Sequence, residues 1–112
     1  MADAQTVINQ RGPLPITATF QALSDGPALV MLSGSVWTQN EGGALIGVQL
    51  QVDGTPIGTA WILASDTATH MAVVPIALPY TFGFGSHEIY LGAATGETVS
   101  DNNDFYCVTI LY

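Results

Sequence analysis

The chain has 112 residues, the size of one domain and enough to bury a core without staples. Nine acidic residues stand against a single Arg11 and no lysine, so the net charge of −8 argues against nucleic-acid partners, whose phosphates would be repelled. Charged residues make up 9% of the chain against roughly 25% in ordinary domains, and no apolar run reaches the ~20 residues of a membrane-spanning helix.

Residues 1–14 are read as an N-terminal arm or an extended strand, separate from a single β-sandwich domain over 15–112. Thr6-Val7-Ile8 has strand character, and Arg11-Gly12-Pro13-Leu14-Pro15 interrupts regular structure. The segment either frays or docks as a strand on a neighbour. Met1-Ala2-Asp3-Ala4-Gln5 lacks the basic and apolar parts of a cleavable signal. The expectation is a soluble protein, with a cell surface or a virion assembly as possible settings and the compartment otherwise open.

Ile16–Leu23 alternates as a strand, with Ile16, Ala18, Phe20 and Ala22 on one face, and Ser24-Asp25-Gly26-Pro27 forms a turn. Ala28–Thr38 follows, with Val30, Leu32, Gly34 and Val36 on one face and Met31, Ser33, Ser35 and Trp37 on the other. Ala44–Val52 has the cleanest alternation: Ala44, Ile46, Val48, Leu50 and Val52 face inward, while Gly47, Gln49 and Gln51 face out. Asp53-Gly54 is a strong hairpin signal, and Thr55–Ala64 is the return strand. Thr69–Leu78 reads as a strand broken at Pro75, a mark of an edge or a bulge. Pro79–Gly85 reads as an aromatic, glycine-punctuated connection, followed by a strand over Ser86–Ala94 and a polar loop over Thr95–Asp104.

The last strand, Phe105–Tyr112, is apolar on both faces. Tyr106, Val108, Ile110 and Tyr112 point one way; Phe105, Cys107, Thr109 and Leu111 point the other. A half-solvated strand would alternate apolar with polar, so this one needs cover on both sides. The first set is assigned to an oligomer interface. Lysine, the usual guard of edge strands, is absent. These features predict a homo-oligomer; a monomer surfaced with Thr, Ser and Gln is the alternative.

About eight short strands at roughly 10-residue spacing, Gly/Pro turns and no helical periodicity predict an all-β antiparallel sandwich of jelly-roll type. The spacing of Gly34-Ser35-Val36-Trp37, Val52-Asp53-Gly54, His70, Gly85-Ser86-His87-Glu88-Ile89 and the Asp101–Asp104 cluster before an apolar last strand resembles bacterial and phage proteins with a TNF/C1q-like jelly roll. The resemblance covers roughly residues 28–112. It implies a compact homotrimer whose last strand packs at the threefold axis. It also implies a module that presents ligand or receptor surfaces, in some bacterial members a sugar site. It carries no functional residue across.

Three sets of residues could carry chemistry. Glu97, Asp101, Asn102, Asn103 and Asp104 could offer a calcium ion the oxygen ligands it prefers, although the spacing is not that of an EF-hand. The loop is also loosely similar to the acidic C-terminal loop of two-calcium bacterial fucose lectins. Those end in glycine, however, and this chain ends in Tyr112. The competing reading is that Asp and Asn here make turns and caps. Trp37, Trp61, Tyr80, Phe82 and Phe84 could form a ligand-binding platform for sugars, or could simply be core and interface. His70 and His87 lack metal spacing, and a spatial triad of Cys107, His87 and an Asp is the one enzymatic arrangement available. With no nucleophile elbow or phosphate loop, the chain is read as a non-enzyme without a catalytic residue. Arg11 most simply pairs with a carboxylate, within the chain or across subunits, with a ligand carboxylate as the second use. The leading functional reading is a trimeric structural or adhesive module of a larger assembly. The alternative is a carbohydrate-binding lectin with glycan partners, needing no cofactor or else calcium.

Overall fold

A computed structural model describes residues 3–112. The strands are β1 (Ala4–Arg11), β2 (Ile16–Gln21), β3 (Gly26–Val36), β4 (Ala44–Val52), β5 (Thr55–Ala64), β6 (Met71–Ala72), β7 (Ile76–Phe82), β8 (Ser86–Ala93) and β9 (Phe105–Leu111). Eight full strands and the two-residue β6 agree with the expected eight. One sheet runs β1-β9-β3, with β7 and β6 both on the far side of β3; the other runs β2-β8-β4-β5. All pairings are antiparallel. The chain crosses repeatedly from sheet to sheet and builds a jelly-roll sandwich.

Alternation in the sequence decides what fills the space between the sheets. Val30, Leu32 and Val36 of β3 and Tyr106, Val108 and Ile110 of β9 meet Ile46, Val48, Leu50 and Val52 of β4 and Ile89 and Leu91 of β8, all at most 1% exposed. Full burial of each large aliphatic or aromatic side chain contributes about 1.5–3 kcal/mol. The β4–β5 hairpin closes at the expected place. Asp53 and Gly54 have φ of 51° and 83°, the left-handed pair that a two-residue turn between twisted strands requires.

Four expectations change. The N-terminal segment is β1, and it pairs with β9 of its own chain from Ala4↔Leu111 to Arg11↔Phe105. The strand expected over Thr69–Leu78 is only Met71–Ala72 there, and β7 begins at Ile76. Pro79, Tyr80, Thr81 and Phe82, expected in a connection, extend β7 instead. β7 pairs with β3 alone among its neighbours, and on such an edge a proline forfeits no ladder bond. Finally, Tyr106, Val108 and Ile110 are 0% exposed in the protein's own core, with Tyr112 packed against them. Side chains sealed between the two sheets cannot meet a partner. The face that β9 turns outward carries the other set, with Phe105 47% exposed and Cys107, Thr109 and Leu111 half-buried.

Candidate functional site

Two polar or aromatic constellations stand out, one at an end of the sandwich and one on its face. At the end, the loop before β9 turns on Asp104, whose side chain is fully buried. Its Oδ1 accepts from Ser35 Oγ at 2.7 Å and from His70 Nδ1 at 2.7 Å, and its Oδ2 accepts from the Asp101 amide at 2.9 Å. Asp101 Oδ1 accepts from the Asn103 amide at 2.8 Å, an Asx turn. The Asp104 hydrogen bond raises the His70 pKa; burial opposes it, and the charges of Asp104 and Asp101 add to it. One ligand atom each of His70, Asp101 and Asp104 lies within 4.8 Å of the others, so this cluster could hold a metal ion. His70 Nε2 is 3.8 Å from Asp101 Oδ2. Of the residues expected to bind calcium, Asp101 and Asp104 are therefore together. Glu97 lies elsewhere, in a groove with Thr38, Gln39, Asn40, Gly96 and Val99. His70 was expected to lack a metal-like setting; it joins the cluster because β6 follows directly and pairs with β3 at Ser35↔Ala72.

The second constellation occupies the outer face of the four-stranded sheet. Inward-facing Ile46, Val48, Leu50 and Val52 of β4 and Ile89 and Leu91 of β8 are apolar, so the alternate positions Gly47, Gln49, Gln51, Tyr90 and Gly92 face out. The register places Gly47 opposite Trp61, Gln49 between Thr59 and Gly92, and Gln51 opposite Tyr90. Two of these outward positions are glycines, and both are covered. A Cβ on Gly47 would lie 3.0 Å from Trp61 Cε3 and 2.4 Å from Ala60 O. A Cβ on Gly92 would lie 2.7 Å from Tyr90 Cε1. Each glycine is the floor beneath an aromatic ring, so both rings lie against the sheet. The two floors are diagonal neighbours on adjacent strands, about 7–8 Å apart. Trp61 keeps 39% of its surface exposed, and Tyr90 is half-buried.

Beside the rings, Gln51 Nε2 donates to Gln49 Oε1 at 2.9 Å. This bond orients both amides, leaving the Gln49 NH₂ and the Gln51 carbonyl for a ligand. Thr59, opposite Gln49, and Thr17, opposite Tyr90, add hydroxyls to the same face. Tyr90 also borders a groove lined by Leu14, Pro15, Ala93, Thr98, Val99 and Ser100.

The five aromatics expected to form one platform are dispersed. Trp61 is on the outer face just described. Phe82 is 0% exposed in the core, where it meets Phe20 and Tyr80 at ring-centroid distances of 5.6 and 4.8 Å. Phe84 is 80% exposed in the β7–β8 turn. Trp37 packs its ring 5.7 Å from that of His70, with Nε1 buried and without a partner among the described residues. Tyr90 had no place in the sequence reading. The signal that could have found it is the pair of glycines at outward strand positions, where a missing side chain marks close approach from above.

The enzymatic arrangement does not assemble. His87 Nδ1 meets Asp53 Oδ2 at 2.6 Å and His87 Nε2 meets Gly83 O at 2.7 Å, which commits both ring nitrogens. Cys107 is on the other sheet, its thiol 3.8 Å from Thr109 Oγ1.

No family model matches the sequence, and no curated protein matches it. Solved structures do share the fold. The chain is similar to the C-terminal domain of EclA, a sugar-binding protein, at 16% identity and a TM-score of 0.50, over 98% of this chain and 78% of that one. It is similar to dimeric latent PorU from Porphyromonas gingivalis at 9% identity and a TM-score of 0.58, over 97% of this chain and 12% of that one. A CBM36-1 domain of a multidomain xylanase from the hindgut metagenome of Trinervitermes trinervoides aligns over 97% of this chain and 95% of its own, at 13% identity and a TM-score of 0.48. At these identities the likeness speaks to the fold. The TNF/C1q-like resemblance is accordingly retained as jelly-roll architecture only.

Proposed function

We propose that this protein is a carbohydrate-binding module that receives a glycan on the outer face of its four-stranded sheet. The observation that carries this reading is the pair of rings, Trp61 and Tyr90, lying over Gly47 and Gly92 beside an oriented glutamine pair. A sugar ring has C–H faces that stack on aromatic rings, and hydroxyls at its rim that need donors and acceptors. This face offers both. A jelly-roll fold shared with a sugar-binding domain is in keeping with it. No catalysis is proposed, since the rings flank no acid–base pair. Affinity electrophoresis through gels containing soluble polysaccharides tests the reading. Retardation of the wild type, lost in Trp61→Ala and Tyr90→Ala, is the expected result; free migration in every gel overturns it.

A second reading, a homo-oligomeric module within a larger assembly, is favoured by the outward face of β9. Phe105, Cys107, Thr109 and Leu111 leave an apolar strip there, and Cys107 and Thr109 border a groove with Met31, Ser33, Ile76 and Ala77. Calcium at the His70–Asp101–Asp104 cluster is a further element of these readings. Light scattering and thermal melting, each in calcium and in chelator, address both. A trimer mass supports the assembly. A melting temperature raised by calcium and restored by chelator supports the metal.

A further inference from the structure

We infer that the ligand of the Trp61–Tyr90 face is a linear, uncharged glycan. Its chain would lie diagonally across β5, β4 and β8 and run on into the groove beyond Tyr90. This rests on the carbohydrate reading above and adds the ligand's charge, shape and direction.

Charge comes first. The outer face carries Thr17, Thr19, Gln49, Gln51, Thr59, Trp61 and Tyr90, and the one ionised side chain it presents is Glu88, opposite Thr19; His87, on the same strand, turns inward against Phe20 and Phe82. Asp53 follows at the hairpin turn of the same sheet. The sole arginine, Arg11, belongs to β1 of the other sheet, and there is no lysine. A uronate, sulfate or sialic acid set on this face would find no cation and a net charge of −8 around it. Neutral hydroxyls match the free amide groups of Gln49 and Gln51.

Shape follows from the floors. A single sugar ring needs one stacking surface and a concave cup. Here the surface is a sheet with two rings, on diagonal glycine floors about 7–8 Å apart. Two stacking surfaces side by side suit successive units of one chain. Beyond Tyr90 the groove between Leu14–Pro15 and Thr98–Ser100 continues the line. At the other end Leu45 and Leu63 stand opposite each other, 51% and 69% exposed, and offer only apolar contact next to Trp61. The glycan therefore meets mixed polar and apolar contacts at one end and apolar contacts alone at the other.

The test uses the full chain and isothermal titration against two sets of probes. The neutral set is xylan, mannan and mixed-linkage glucan with their oligosaccharides; the charged set is polygalacturonate and alginate. Expected are binding to at least one neutral polymer, affinity that grows with oligosaccharide length, and no binding to either polyuronate. Trp61→Ala and Tyr90→Ala each weaken binding about 10-fold, the loss of one stacking contact of ~1.4 kcal/mol. Gln51→Lys places a cation beside Tyr90 and is expected to create polyuronate binding that the wild type lacks. Circular dichroism of each variant establishes that the fold is kept.

Polyuronate bound as well as the neutral polymers overturns the inference and leaves the carbohydrate reading standing. So does a monosaccharide bound as tightly as its oligomers. Binding to no glycan in either set overturns the carbohydrate reading itself. If Trp61→Ala lowers the solution mass and no glycan binds, the face belongs to a second copy of the chain, and both fail.

Discussion

Asp53 and His87 join two turns at one end of the sandwich. Asp53, in the β4–β5 hairpin, holds His87 Nδ1 with Oδ2 at 2.6 Å and the Glu88 amide with Oδ1 at 2.8 Å. His87 Nε2 is 2.7 Å from the Gly83 carbonyl in the β7–β8 turn. A carboxylate and a carbonyl both accept, so each ring nitrogen carries a proton and the ring is a cation. The ring packs against Phe82 in a T-shaped contact and against Phe20 in a tilted one, with ring centroids at 5.2 and 5.9 Å.

Stability should follow the protonation of this pair. The Asp53 hydrogen bond raises the His87 pKa above its ordinary 6.5; the Gly83 carbonyl helps and burial opposes. For Asp53, burial pushes upward, but the His87 hydrogen bond, the Glu88 amide and the His87 charge outweigh it and leave the pKa below 3.8. A raised histidine stabilises the fold fully below its unfolded pKa and loses that contribution as pH rises through the folded value. A lowered carboxylate contributes above its unfolded pKa and loses it as pH falls through the folded one. The latch is therefore strongest between about pH 4 and pH 6.5. Melting temperatures of the wild type and His87→Gln, measured from pH 4 to 9, should differ most near pH 5–6 and converge above. A difference that stays constant with pH would show that His87 acts through packing alone.

Asp104 should be the costliest polar residue to remove. It is fully buried and satisfies Ser35 Oγ, His70 Nδ1 and the Asp101 amide, and its own carbonyl accepts from the Gly12 amide at 2.8 Å. Asp104→Ala leaves three donors without their acceptor, at about 3 kcal/mol or more. Asp101→Ala removes a partly exposed side chain with one local bond and should cost about 1 kcal/mol or less. Urea denaturation separates the two; equal midpoints would contradict the assignment of Asp104 as the hub.

What could be read in advance divides along physical lines. The hairpin Ala44–Ala64 was legible because its alternation and Asp53-Gly54 turn are local and agree with each other. β7 was misread because Pro79 looks like a breaker, and whether a proline breaks a strand depends on which edge it faces. β9 is apolar on both faces in sequence, and which face is core depends on the opposing sheet, which no local pattern names. Tyr90 escaped because its role arises from Gly92 and Gln51, one on its own strand and one on the next. His70 reaches Asp104, 34 residues further along the chain, only through the β3–β6 pairing.

Tyr106 carries a hydroxyl with no well-formed hydrogen bond among the described residues, in a fully buried setting. Burial pushes its pKa up, and the Asp104 charge adds to that, against a nearby Ser100 side chain. An unpaired buried hydroxyl is a standing cost, so its removal is cheap. Tyr106→Phe should leave stability within about 0.5 kcal/mol of the wild type, or raise it. A loss above about 2 kcal/mol would mean that the hydroxyl is engaged after all.

The ring of Tyr106, unlike its hydroxyl, is held tightly. A Cβ on Gly34 would lie 2.5 Å from Cδ1 and 3.0 Å from Cε1, and a Cβ on Gly12 3.0 Å from Cε2. The ring is thus packed against backbone on two sides, with the sandwich core behind it. Gly34→Ala forces a methyl group into a ring that cannot retreat, at about 1–3 kcal/mol. The mechanism can be isolated with a second substitution. Tyr106→Leu opens space at the same place, so Gly34→Ala should cost less in that background, with a coupling above about 0.5 kcal/mol. Equal costs in the two backgrounds would place the strain in the Phe105 carbonyl, 3.2 Å from the same Cβ, and not in the ring.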